Sequence, residues 1–431
     1  MSGSESLKGR TIDPSRVLTM VLAGGAGKRL YPLTRYDAKP MVPFGGIYRL
    51  IDIPLSNCIN SQLRRIYILT QHKALSLNRH VRRTWSLLPP ELGEFVDILP
   101  PTKRVGESWY LGTADAIYQN IQSIEDERLP YVLVLAADHV YRMDYRRMLD
   151  WHAAHNADVT VACARVAARE AARFGVAITD DEDRIIGFEE KPQQPQAGAA
   201  SRQGVCASMG IYLFSTPVLI DALREDAGDA SSGHDFGADI IPRLVGRSRA
   251  IAYDFCCGGP NAGYWRDVGT LDCYYDTNMD LVSVSPVFNL YDEEWPIHAS
   301  ALRLPPAKFV FADEGRRMGI AVDSLVSPGC IVSGGRVTHS VLSPGVRVNS
   351  FCEIEHSILL PNVKVGRGSR IRRAVVTSGV EIPEGSVIGF DSEADHLAGH
   401  VITKGGVIVV EGAEAVKGVT ETAPSSSVYW G

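Results

Sequence analysis

Towards the C-terminus four short segments repeat: PGCIV at 328–332, PGVRV at 344–348, PNVKV at 361–365 and SGVEI at 378–382. Their starts lie 16, 17 and 17 residues apart. A second row, Leu325-Val326, Val341-Leu342, Ile358-Leu359 and Val375-Val376, keeps the same register. Val348 to Ile354, Val365 to Ile371 and Ile382 to Ile388 are each six residues apart. A unit this short cannot bury its own apolar side chains. It folds by stacking on its neighbours, so the region is a solenoid with one shared aliphatic column. Its open ends and flat faces call for cover by partners, so oligomerisation is expected.

The six-residue spacing and a coil near 17 residues resemble the left-handed hexapeptide β-helix. An ordinary β-sandwich with similar strand spacing is the alternative. His339 and His356 occupy equivalent repeat positions and should stack on adjacent coils. Hexapeptide β-helices also build acyltransferases with a catalytic histidine. Two histidines at the repeat spacing read more simply as equivalent structural positions.

The preceding part of the chain has a different pattern. Apolar runs such as Val17–Leu22, Ile66–Thr70, Tyr131–Leu135 and Val159–Cys163 alternate with helical stretches such as Asp144 to Ala154. That alternation predicts an α/β fold with a Rossmann-like, mostly parallel sheet, which binds ligands beyond the carboxyl ends of its strands. The expected organisation is a flexible arm over 1–15 and an α/β domain over 16–285. A linker over 286–310, a β-helix over 311–410 and a tail over 411–431 follow.

Directly after the first apolar run comes LAGGAGKRLYPLTRYDAKPMVPFGG, residues 22–46. A strand ending in a glycine loop with Lys28, Arg29 and Lys39 nearby is suited to holding phosphates, because free N–H groups and fixed charge face the anion. It is not a P-loop, since Arg29 stands where the metal-binding hydroxyl would be. It is not the dinucleotide fingerprint either, since Leu30 replaces the third glycine.

Several further residues invite chemistry. Asp138 ends the run Val132–Ala137, so its carboxylate sits at the ligand edge of the sheet, where a hydrated Mg²⁺ on substrate phosphates would partner it. A turn or cap aspartate is the plainer reading. Asp267, in YWRDVGT, offers a second carboxylate, though it could equally cap a helix before Thr270. Glu190-Lys191 follows a strand-like segment; Lys191 could meet a sugar phosphate, or simply pair with its neighbour on the surface. In Trp109–Ala116, Gly112 and Thr113 precede a helix and would let a nucleobase approach the backbone. Thr113 as an ordinary helix cap is the alternative.

Together these segments, with RLIDIPLSNCINS, ASMGIYLF, HDFGADIIP and YWRDVGTLDCYYDTNMDL, resemble the sugar-phosphate nucleotidyltransferases. Within them they look like the bacterial glucose-1-phosphate adenylyltransferases (ADP-glucose pyrophosphorylases), from about residue 17 to about 390. The resemblance implies that Gly24, Gly25, Gly112, Thr113 and Ala114 contact ATP. Arg29 and Lys39 would bind the triphosphate and the departing pyrophosphate, and with Asp138 carry catalysis. Asp138 and Asp267 would hold Mg²⁺. Tyr110, Glu190, Lys191, Ser208, Tyr212, Asp235 and Trp265 would surround glucose 1-phosphate. The family is typically homotetrameric and allosteric, answering to glycolytic intermediates and to AMP, ADP or phosphate. The candidate effector residues here are Arg35, Arg49, Arg372 and Arg373, each of which could instead belong to a solvated basic face. Tyr36-Asp37 stands where some members carry basic residues before the AKP segment, which argues against activation of the fructose 1,6-bisphosphate type.

Composition excludes other classes. The chain has 431 residues and a net charge of −6, with no basic run suited to nucleic acid. The N-terminus lacks the apolar core of a signal peptide, and no segment approaches membrane-spanning length, so a cytoplasmic enzyme is expected. Eight scattered cysteines form no C-x-x-C pair and read as reduced thiols. Two other functions stay open: a relative using UTP, dTTP or GTP, and a silent regulatory subunit. Loss of Arg29, Lys39, Asp138 or Lys191 would mark the latter, and all four are present.

Overall fold

The computed structural model describes residues 11–25, 27–100, 110–194, 200–201, 204–255, 263–313 and 317–412. Residues 1–10 of the N-terminal arm, Trp109, the adjacent Cys256-Cys257 and the tail beyond 412 lie outside the described residues.

The N-terminal part is built on a ten-stranded sheet. Its centre is a parallel block in the order Phe95–Leu99, Arg65–Leu69, Val17–Leu22, Tyr131–Ala136. The long strand Gly204–Ser215 runs antiparallel to Tyr131–Ala136 and to Val159–Val166, and Ala250–Asp254 pairs in parallel with the latter. The hairpin Gly175–Thr179/Ile185–Glu190 extends the sheet at one edge. Among the described strands only Gly204–Ser215 and Ile185–Glu190 oppose the common strand direction, so the sheet is mostly parallel. The second strand expected from sequence starts and ends one residue earlier, at Arg65–Leu69.

The central strands are continuous apolar runs because both faces are covered. Val17, Val21, Leu133 and Leu135 enter one core, while Leu18, Met20, Val132 and Val134 enter the other. The helix Tyr145–Ala154 is capped by Asp144, which accepts from the Arg146 N–H.

The C-terminal part is a stack of short parallel strands in three sheets, the architecture of a left-handed β-helix. The registers anticipated from the repeat are observed: Ile331-Val332 on Arg347-Val348, Val337 on Ile354, and Leu325-Val326 on Val341-Leu342. Each coil turns through corners with left-handed backbone. One corner column is Asp323, His339, His356 and Arg373, at φ of 46°, 45°, 44° and 48°. A second is Gly329, Gly345, Asn362 and Gly379, which explains the recurrent glycine or asparagine in the repeat. His339 and His356 stack with ring centroids 4.8 Å apart and planes 17° from parallel.

The two parts share a core. Leu30, Phe44, Leu50 and Tyr274 pack with Val341, Ile358, Val375 and Val409 of the solenoid. The connecting segment is fastened to the helix Asp52–Asn60: Trp295 Nε1 donates to Asn57 Oδ1 at 2.8 Å, and the His298 N–H donates to Ser56 Oγ at 2.8 Å. Its end, Lys308–Val310, pairs with Ile331–Ser333 as a strand of the stack.

Candidate active site

The parallel strands deliver their carboxyl ends to one edge, where the glycine loop, Gln71 and Asp138 follow Leu22, Leu69 and Ala136. Gly27 opens a short 3₁₀ turn in left-handed backbone, φ 62°, and its carbonyl accepts from Thr34 Oγ1 at 2.9 Å. Gly24 faces Gln71, whose Cβ would lie 3.2 Å from an added Cβ, whereas around Gly25 nothing among the described residues lies within 4 Å. Arg29 projects into solvent from this loop.

Lys39 is the centre of the charge arrangement. It is buried, at 8% exposure, in the short turn Lys39–Met41. Its ammonium lies 2.5 Å from Asp138 Oδ2 and 4.0 Å from Asp267 Oδ1. His139 Nε2 lies 3.6 Å from Asp138 Oδ1 and 3.6 Å from Asp267 Oδ1. Asp138 follows the strand Tyr131–Ala136, and Asp267 ends the short strand Trp265–Asp267 that pairs with His139–Tyr141. Thr270, not Asp267, caps the next helix by accepting from the Cys273 N–H. Burial alone would raise the Asp138 carboxyl; Lys39 and His139 beside it outweigh burial and hold it below the ordinary carboxylate range.

Asp138, His139 and Asp267 bring ligand atoms within 4.8 Å of one another. Two carboxylate oxygens at this spacing suit a hard, oxygen-seeking divalent cation, and the ammonium of Lys39 now supplies the balancing charge. The residues therefore fit a divalent metal.

The bulged strand Gly204–Ser215 approaches this cluster, a Cβ on Gly210 lying 3.7 Å from the His139 ring, and the segment after His234 packs on the strand. Ser208 Oγ donates to Tyr212 Oη at 3.4 Å, and Tyr212 stacks on Phe236 at 5.5 Å and 25°. Asp235 caps the short helix Phe236–Ile240, accepting from the Gly237 and Ala238 N–H groups. Its other oxygen accepts from Thr113 Oγ1 at 2.9 Å. Gly112, not Thr113, occupies the cap position of the helix Thr113–Tyr118. A Cβ on Gly112 would sit 2.2 Å from the His234 carbonyl oxygen. Tyr110 is buried, and its hydroxyl accepts from Asn120 Nδ2 at 3.0 Å. Gln71 Nε2 donates to the Tyr110 carbonyl at 3.2 Å. Glu190 and Lys191 end the hairpin and pair with each other; Lys191 is in left-handed backbone, φ 49°, with its side chain exposed. Trp265 meets His139 edge-on at 5.6 Å and packs on Phe174 at 4.8 Å.

The nucleotidyl transferase family model matches residues 18–284, and the GlmU-like C-terminal hexapeptide model matches residues 305–410. Glucose-1-phosphate adenylyltransferase from Koribacter versatilis is 57% identical over 91% of this chain and 94% of its own length. The enzyme of that name from Saccharophagus degradans is 52% identical over 91% of this chain and 93% of its own. That from Rhodopirellula baltica is 48% identical over 94% and 92%. The chain belongs to the glucose-1-phosphate adenylyltransferase family.

As a member of that family, this chain brings Lys39, Asp138, Asp267 and Trp265 into one cluster, and Ser208, Tyr212, Asp235 and Thr113 into another. The four arginines considered for effectors have separate partners. Arg35 pairs with Glu411 at 3.1 Å, and Arg49 donates to the Met41 carbonyl at 3.2 Å. Burial lowers the Arg49 pKa from the usual arginine value. Arg372 lies over Phe390 at 4.8 Å, and Arg373 over Tyr275 at 5.3 Å. Sequence reasoning missed His139, Gln71, Phe236 and Arg173. His139 had a signal, being next to Asp138; Arg173 had none. Of the described cysteines, Cys273 is half-buried and the other five are buried and free. No described helix is long and apolar enough to cross a membrane.

Proposed function

We propose that this chain joins ATP and α-D-glucose 1-phosphate into ADP-glucose and diphosphate, supplying the glucosyl donor for an α-glucan such as glycogen. The observation that carries the proposal is the Lys39–Asp138–Asp267 cluster at the carboxyl ends of the parallel strands. The glycine loop meets it at Gly27 beside Lys39, and the strand carrying Ser208 and Tyr212 meets it at Gly210 beside His139.

A phosphate oxygen of glucose 1-phosphate attacks the α-phosphorus of ATP, and pyrophosphate departs. That oxygen is already anionic, so no strong general base is needed. The obstacle is bringing two anions together and stabilising charge on the leaving group. Lys39 and Arg29 take the triphosphate and then the pyrophosphate, and Lys191 takes the sugar phosphate. Gly24, Gly25 and the Gly112–Ala114 segment admit the nucleotide to the backbone. Ser208, Tyr212, Asp235, Glu190, Tyr110 and Trp265 orient the sugar. Asp138 and Asp267 would hold the metal, for which we propose Mg²⁺; when bound it neutralises phosphate charge. Lys39, whose ammonium lies on Asp138 and near Asp267, would turn to the phosphates.

Regulation belongs to the proposal too. Arg35, Arg49 and Arg373 stand on elements that meet between the α/β part and the solenoid, and an effector anion there would compete with contacts such as Arg35–Glu411. A homotetramer, with effectors among glycolytic intermediates and adenine nucleotides or phosphate, and a cytoplasmic setting complete it. Incubation with ATP, Mg²⁺ and labelled glucose 1-phosphate tests the reaction: labelled ADP-glucose is expected, and its absence from folded protein contradicts it.

A further inference from the structure

Each carboxylate of the metal-fitting cluster carries a cation. Lys39 sits on Asp138. Asp267 has a second cation on its other oxygen: Arg173 Nη2 lies 3.5 Å from Asp267 Oδ2, on the oxygen that faces neither Lys39 nor His139. The same Nη2 is 3.5 Å from Cys273 Sγ, and the Arg173 side chain remains 42% exposed. Its link to the carboxylate is a single long hydrogen bond, and its approach from solvent is open. A guanidinium in this state exchanges partners at little cost.

The position of Arg173 follows from the hairpin that carries Lys191. Arg173 ends the 3₁₀ segment Ala168–Arg173, and Phe174 leads into the strand Gly175–Thr179. Gly175 is the register partner of Glu190, and the Lys191 N–H donates to the Phe174 carbonyl at 3.0 Å. Arg173 and Lys191 are therefore two cations at one mouth of the hairpin. The Phe174 ring is packed on Trp265, with the Arg173 guanidinium 5.1 Å above it. A planar fork braced on an aromatic face is pre-organised for a tetrahedral anion, which it grips by paired hydrogen bonds that a lone ammonium cannot make.

We propose that Arg173 is a substrate-binding residue for the phosphate of glucose 1-phosphate, leaving Asp267 for that phosphate when the metal takes the carboxylate. The assignment rests on the adenylyl-transfer reading above and adds to it a second cation beside Lys191. It answers a requirement of the chemistry: a dianionic nucleophile must approach a triphosphate, and Lys191, paired with Glu190, leaves part of that charge uncompensated.

The test compares wild type with Arg173→Lys, Arg173→Gln and Arg173→Ala. KM is measured for each substrate, together with the Mg²⁺ concentration giving half-maximal rate. Calorimetric binding of glucose 1-phosphate to enzyme saturated with α,β-methylene-ATP is the second readout. The assignment predicts that KM and Kd for glucose 1-phosphate rise ~10–100-fold in the Ala and Gln variants, the scale of losing charge-assisted hydrogen bonds. The Lys variant should fall between, and KM for ATP should change less than about twofold. An unchanged Kd for the sugar phosphate overturns it. So does a shift confined to the Mg²⁺ requirement, which would make Arg173 a prop for Asp267. If wild type proves inactive with ATP, the proposed function fails, and calorimetry against glucose 1-phosphate still decides the role of Arg173. The Gln variant keeps the test open should Ala fold poorly.

Discussion

Thr113 Oγ1 donates to Asp235 Oδ2 at 2.9 Å, and the same hydroxyl accepts from the Phe236 N–H at 3.0 Å. One hydroxyl thus ties the segment assigned to the nucleotide to the segment assigned to the sugar. The orientation of Asp235 depends on it, because the other carboxylate oxygen is already committed to capping Phe236–Ile240. Thr113→Val keeps the shape and removes the tie. KM for glucose 1-phosphate should rise about fivefold, matching a net hydrogen bond of ~1 kcal/mol, while the melting temperature falls little. Steady-state kinetics for both substrates, alongside a thermal melt, checks this.

The Lys39–Asp138 contact separates turnover from sugar binding. Asp138→Asn removes the charge that balances Lys39 and the metal, yet touches no group assigned to the sugar. We expect kcat to drop at least ~100-fold, the scale on which one charge-stabilising group acts, with KM for glucose 1-phosphate nearly constant. Lys191→Ala should do the reverse, raising that KM ~10-fold or more with a smaller effect on kcat. An unchanged KM in the Lys191 variant would remove it from the sugar site.

Two glycines in the nucleotide region should respond differently to alanine. At Gly112 the new Cβ would meet backbone, 2.2 Å from the His234 oxygen and 2.5 Å from the Gly233 oxygen, so the chain must shift. Gly112→Ala should lower both the melting temperature and activity. At Gly25 nothing among the described residues lies within 4 Å, so Gly25→Ala should melt like wild type and show its defect only in KM for ATP. Paired melts and kinetics distinguish them.

His152 sets a dependence of stability on pH. It is buried against Thr160, whose Oγ1 lies 2.8 Å from Nδ1. Burial lowers its pKa from 6.5 to about 4. Below the unfolded value of 6.5 the unfolded chain takes up a proton that the folded chain refuses. Stability from this residue is therefore full above that pH and declines as the pH falls towards the folded value. The loss should be about 2 kcal/mol between roughly pH 7.5 and roughly pH 5. His152→Gln should flatten the decline, as read by denaturant titrations at the two pH values.

Much of the architecture was legible because periodicity encodes it. The run Val17–Leu22 had to be a strand buried on both faces, and the 16- and 17-residue spacing fixed which coil residues stack. The edge position of Asp138 followed from the strand before it. What stayed hidden were contacts between residues far apart in sequence. Nothing local to Lys39 indicates that it meets a carboxylate 99 residues later, and nothing around Arg173 points to Asp267, 94 residues on. The connecting segment read as a plain linker because the polar groups that fasten it, Asn57 and Ser56, lie on a distant helix. Single-residue uncertainty at strand ends, as at Arg65–Leu69, has the same origin: pairing partners set the ends.

The most direct test of the central claim is pyrophosphate release by the purified protein with Mg²⁺ and glucose 1-phosphate, running ATP, UTP, dTTP and GTP in parallel, each with and without glycolytic intermediates. The account predicts release with ATP and little with the others. Preference for another nucleotide would contradict the assigned substrate, and no release with any of them would contradict the catalytic reading itself.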